Sequence, residues 1–206
     1  VALIGICSQI VSGNTIKDNG ENLNVTKAVD TNETLWLLQQ TYMNGFSICD
    51  QNVCINVNET CIRNNMVNIT SREYYFNQTM RVGSDDYTTL YWGIFDNTTD
   101  PPKSMKVIAP SGLEIPELWT LQYQDPDNGP CMVFVIQKLD QRIRNDLGTC
   151  EMYYRGSPKS KTPESGCTEF FNKRCNSSTI HRPYTESCEQ TPHSGDQINN
   201  NVLFQA

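Results

Sequence analysis

Leu118-Trp119-Thr120-Leu121-Gln122-Tyr123 decides the fold class, because apolar and polar side chains alternate along it with the two-residue period of a half-buried strand. Beyond it, Cys131-Met132-Val133-Phe134-Val135-Ile136-Gln137 is apolar on both faces, and Cys150-Glu151-Met152-Tyr153-Tyr154 closes the series. Before it, Met105 to Ile108, Tyr87 to Phe95 and Glu73 to Met80 are rich in the aromatic and branched residues that favour a pleated surface. Gly, Pro and Asp punctuate the gaps at Val82 to Asp86, Asp96 to Pro102, Pro110 to Gly112 and Asp125 to Pro130. Strands about a dozen residues apart with such turns between them predict an all-β meander of hairpins.

The ends of the chain read differently. Asp30 to Glu33 offers capping residues ahead of Thr34-Leu35-Trp36-Leu37-Leu38-Gln39-Gln40-Thr41-Tyr42, whose apolar run predicts a short helical turn leading into a buried strand. Residues 14–31 are polar and read as a loose N-terminal extension. Gly156 to Gly166 is a Ser/Pro/Lys loop, Cys167 to Cys175 predicts a helix of about two turns, and residues 189–206 read as a flexible tail. One domain over 32–188 remains, which is within the length of a single all-β unit and large enough to bury a core.

The 206 residues carry a formal charge of −7, which argues against an electrostatic grip on nucleic acid or an anionic membrane. Val1 to Gly13 has the short apolar run and small-residue end of a secretory leader. Of nine cysteines, Cys7 lies in that leader; the remaining eight, with no Cys-x-x-Cys pair and only His181 and His193 as histidines, favour disulfides over zinc. Asn occurs 21 times, and Asn24, Asn32, Asn58, Asn68, Asn77, Asn97 and Asn176 each open an Asn-x-Ser/Thr sequon. An exported, disulfide-linked glycoprotein is expected. Catalysis is not: both histidines lie in the C-terminal region, the cysteines are expected to be oxidised, and the Asp85-Asp86 pair sits in a turn. No cofactor and no metal are expected.

Strand alternation assigns faces. A glycosylated Asn77 must point to solvent with Tyr75 and Thr79, leaving Tyr74, Phe76 and Gln78 inward; by the same alternation Trp119, Leu121 and Tyr123 share one face. An interior this rich in Tyr and Trp reads as the wall of a cavity, the competing reading being plain aromatic packing.

Cys131-Met132-Val133, Cys150-Glu151-Met152-Tyr153 and Cys167 together resemble the signature of the tick salivary lipocalins, whose type members bind histamine. That signature is a Cys-Asp-(Val/Ile/Leu) triplet, then Glu-Leu-(Trp/Tyr), then Cys; here seventeen residues separate Val133 from Glu151 and thirteen separate Tyr153 from Cys167. The early strand ending in Thr41-Tyr42, Cys167-x3-Phe171 in the closing helix and the late Cys188 extend the resemblance over nearly the whole mature chain. It implies an eight-stranded antiparallel barrel with a C-terminal helix packed outside and a small ligand inside. It also implies Cys131–Cys167 and Cys61–Cys188 as shared disulfides, with Cys49, Cys54, Cys150 and Cys175 forming two more of open pairing. Trp36, Tyr42, Tyr74, Phe76, Trp92, Trp119, Tyr123, Glu151 and Tyr153 are the expected ligand-binding set. The chain departs from the amine-binding pattern where Met132 replaces the signature Asp, and where Gly45 and Ile48 stand in for an Asp and a Trp. Those departures favour a sterol, fatty acid or eicosanoid as cargo; a biogenic amine such as histamine or serotonin is the alternative, as is an immune protein bound on the loops around Pro101-Pro102 and Pro158 to Pro163.

Overall fold

From the third strand onward each strand pairs antiparallel with the one before it, and the first strand closes the ring by pairing with both the last and the third. The computed structural model describes residues 23–50, 53–109, 112, 115–139, 149–159, 165–175 and 178–190, so the expected leader, the Asn176 sequon and the tail from residue 191 lie outside it. A helix α1 (Val25–Val29) precedes β1 (Leu35–Gln40), β2 (Gly45–Asp50), β3 (Val53–Ile69), β4 (Glu73–Val82), β5 (Asp85–Phe95), β6 (Ser104–Ile108), β7 (Glu117–Gln124), β8 (Cys131–Lys138), β9 (Cys150–Arg155) and α2 (Ser165–Cys175). The sheet runs β1-β9-β8-β7-β6-β5-β4-β3-β2, and β1 also pairs with β3. Eight strands therefore close a lipocalin-type antiparallel barrel, and β2 is left over as an extra strand of the hairpin that carries β3 past the rim.

Inside the barrel lies one apolar cluster, to which β1 gives Leu35 and Leu37, β3 Ile62, β4 Tyr74 and Phe76, β7 Trp119 and Leu121, β8 Met132 and Phe134, and β9 Tyr153. Alternate residues of the same strands point out. Cys131, Val133 and Val135 of β8 and Met152 and Tyr154 of β9 form a second cluster with Phe170 and Phe171 of α2, outside the barrel. Burying such side chains contributes roughly 1.5–3 kcal/mol each. Two disulfides tie the helix down, Cys131–Cys167 and Cys150–Cys175; Cys61–Cys188 fixes the C-terminal segment across β3, and Cys49–Cys54 joins β2 to β3 near the hairpin tip. The two pairs implied by the family resemblance are present, and the two left open are now assigned.

The helical turn is not where the capping residues placed it. Thr34 to Gln40 is extended, and α1 forms within the stretch read as a loose extension, with the Asn24 side chain accepting a 3.0 Å hydrogen bond from the Lys27 N–H as its cap. Val25, Ala28 and Val29 turn inward and plug one end of the barrel. The Val25 N–H bonds the Pro102 carbonyl at 2.9 Å, so the Pro101-Pro102 loop is a half-buried support for the plug rather than a bare surface. Tyr74, Phe76 and Gln78 do face inward, with Tyr75 and Asn77 outward. Thr79, expected at the surface, is 7% exposed because it pairs across the strands with the Thr88 hydroxyl at 2.9 Å.

Candidate ligand site

At the end of the barrel opposite α1 the inward residues change character. Gln78 follows Tyr74 and Phe76 on β4, Glu117 precedes Trp119 on β7, and Glu151 precedes Tyr153 on β9. These polar positions and Leu37, Tyr42, Asn44, Ile62, Tyr91 and Trp119 line a cavity of about 100 Å³. Strand periodicity explains the assembly: positions two apart share a face, so the strand ends carry the polar groups into the same mouth.

Glu151 is the centre of the site. It is 4% exposed; one carboxylate oxygen accepts the Tyr42 hydroxyl, and the other, Oε2, is buried with no hydrogen-bond partner. Among the described residues no cation pairs with it. Burial pushes its pKa up to about 7, the Tyr42 hydroxyl opposes the rise, the nearby Glu117 carboxylate adds to it, and the adjacent Tyr153 hydroxyl opposes it as well. Burial and the same carboxylate hold the Tyr42 and Tyr153 phenols well above their ordinary range, so both are neutral O–H donors. Glu117 is half-buried and oriented by the Trp119 indole N–H, which donates to its Oε2 at 3.0 Å. Gln78 donates to the buried Asn64 at 3.1 Å and Asn44 to the buried Gln40 at 3.3 Å, so the polar wall is cross-linked. A buried carboxylate with a free oxygen, a second carboxylate and the rings of Tyr91 and Trp119 form a place to hold a desolvated cation.

Of the expected ligand-binding set, Tyr42, Trp119 and Glu151 line this cavity, and Tyr153 stands beside Glu151. Tyr74 and Phe76 face inward but are stacked at 4.9 Å in the packed part of the interior. Three are on the wrong side of the wall. Trp36 points out, under Tyr184 at 5.4 Å and with the Arg63 guanidinium over its ring. Trp92 lies opposite Tyr75 on the outer face. Tyr123 was expected to follow Trp119 and Leu121, but a register shift between Leu121 and Tyr123 inserts an extra residue, and Tyr123 emerges against Phe170 of α2. Glu117, Asn44 and Gln78 were not in the set. Glu117 had a signal, since it is two residues before Trp119 on the same face.

Two of the three departures from the amine-binding pattern, Met132 and Gly45, also find their places. Met132 is fully buried within the interior cluster rather than on the cavity wall. At Gly45 a Cβ would come within 2.5 Å of the Val57 carbonyl oxygen, so the tight hairpin leaves no room there for an Asp side chain.

Barrel, external helix and acidic interior define a ligand-binding lipocalin-type protein. The family model described as tick histamine binding protein matches residues 14–190, and the chain belongs to that family. No curated protein matches the chain by sequence. Four disulfides suit an oxidising extracellular compartment, and among the described residues no helix is long and apolar enough to cross a membrane.

Proposed function

We propose that the chain captures a small cationic amine of histamine size in the acidic end of its barrel and sequesters it outside the cell, withholding a mediator from the host. The observation that carries this reading is the buried Glu151 carboxylate, whose Oε2 lacks a partner inside a cavity of about 100 Å³. A buried acid without a counter-ion costs the fold free energy, and a bound ammonium would relieve that cost. Glu117 supplies a second carboxylate for the far end of a dibasic ligand, and Tyr91 and Trp119 supply π faces for a cation.

Size argues against the lipid cargo that Met132 favoured at the sequence level. Sites for drug-sized ligands occupy ~300–1,000 Å³, whereas this cavity is about 100 Å³. A sterol or eicosanoid would have to displace the packed rings of Trp119, Phe134 and Tyr153.

Calorimetric titration of histamine into the purified protein tests the proposal. Glu151→Gln should weaken binding by about 30-fold or more, the consequence of removing one partner of a buried charge pair. Equal affinity in wild type and variant, or a fatty acid bound where histamine is not, would overturn it.

A further inference from the structure

The outer face of β3, β4 and β5 carries an apolar patch that nothing in the barrel uses. Tyr75 and Trp92, opposite each other on β4 and β5, lie parallel with ring centroids 6.2 Å apart and an interplanar angle of 2°. Leu90 is 43% exposed and Val67 56% exposed beside them. The Tyr75 hydroxyl donates to Glu73 at 3.3 Å, which holds the ring down along its own strand. Asn77 sits amid this patch, opposite Leu90 on one side and Asn65 on the other. It opens the sequon Asn77-Gln78-Thr79, and its side chain makes no hydrogen bond among the described residues.

We infer that Asn77 carries an N-linked glycan whose first sugar lies on the Tyr75 ring and covers the Tyr75–Trp92–Leu90 patch, so that the sugar acts as a structural part of the barrel wall. Strand geometry makes the contact local. Tyr75 and Asn77 are two apart on one face, so a sugar on the Asn side chain is a single side-chain spacing from the ring. The C–H face of a pyranose is apolar, and the negative face of an aromatic ring attracts it, so the seat favours N-acetylglucosamine while its hydroxyls stay in water. No other described sequon has an aromatic ring two positions before it on its own strand, although Asn68 faces Tyr75 directly from β3. Asn24 uses its carbonyl oxygen as the α1 cap. Asn32, Asn58 and Asn68 follow Asp30, Asn56 and Met66 by two residues, and Phe95, two before Asn97, is 4% exposed within the interior cluster.

The test uses full-length protein secreted from insect cells in an Asn68→Gln background, since Asn68 also faces Tyr75, with the remaining sequons intact. Glycopeptide mass spectrometry should find Asn77 occupied. Thermal unfolding should place the glycosylated wild type about 2–4 °C above Asn77→Gln, and that difference should vanish when both are compared in a Tyr75→Ala background. Endoglycosidase trimming to one N-acetylglucosamine should preserve the difference, and the remaining sugar's protons should be shifted upfield by the ring in a carbon–proton NMR spectrum. That spectrum stands even if Asn77→Gln folds poorly. An unmodified Asn77, a glycan effect that persists in Tyr75→Ala, or unshifted sugar protons would each overturn the inference. So would dimerisation of the wild type through this face, which would make the patch a protein interface.

Discussion

The two ends of the barrel interior are built from the same strands and do opposite things. At the α1 end, Tyr74, Phe76, Met105, Leu121 and Phe134 interlock around the plug formed by Val25, Ala28 and Val29. At the other, Gln78, Glu117 and Glu151 occupy the next inward positions and leave a void. One step of two residues along a strand converts a packed core into a polar cavity. The packed end anchors the walls, and the acidic end can then tolerate a carboxylate that would be unaffordable if the walls were free to move.

The sharpest way to break this division is at Phe76, whose ring is fully buried and 5.9 Å from Trp119. Phe76→Ala should cost about 3–5 kcal/mol in urea unfolding, while histamine affinity under folding conditions changes by less than about tenfold. A variant of normal stability with binding abolished would show that the two ends are one unit.

Protons probe the acidic end. Glu151 has its pKa raised from 4.5 to about 7, so the folded state holds a proton that the unfolded state has released between those values. Its cost to the fold is absent below that window, grows as the pH rises through it and is fully present above about 7. The stability of Glu151→Gln relative to wild type should therefore increase between pH 5 and pH 8, by on the order of 2–3 kcal/mol. Histamine affinity of the wild type should move the other way, falling about tenfold per pH unit below about 7 as the counter-ion is neutralised. A stability gap that stays constant with pH would mean that Glu151 is ionised throughout.

A smaller effect belongs to Glu117, which is half-buried and held by the Trp119 indole. Glu117→Gln should weaken histamine by about tenfold, on the order of 1 kcal/mol. Titration calorimetry separates the two carboxylates; equal losses would make them equivalent ligands.

Strand identity was legible because a period of two survives in Leu118 to Tyr123 and Glu73 to Met80, and Tyr74, Phe76 and Gln78 went inward as that period required. What failed was the step from aromatic identity to cavity lining. The side of the wall on which Trp92 falls depends on which β4 residue it faces, a long-range pairing with no local signature. Tyr123 was misplaced by a single extra residue after Leu121, and β1 has a comparable irregularity between Leu37 and Gln39. Helix α1 leaves no periodic signal in the sequence because Thr26 and Lys27 interrupt its apolar face, and its five residues are too few to establish a period. The hollow's small size depends on how rings from five strands meet and could not be read in advance; Met132 therefore carried more weight at the sequence level than its buried position supports.

The bond between Cys61 and Cys188 spans 127 positions of the chain. Any single proteolytic nick between them leaves the two fragments joined through sulfur, so a clipped molecule would keep its strands in one piece. A first cut in a surface loop would therefore leave the barrel's strands covalently tethered.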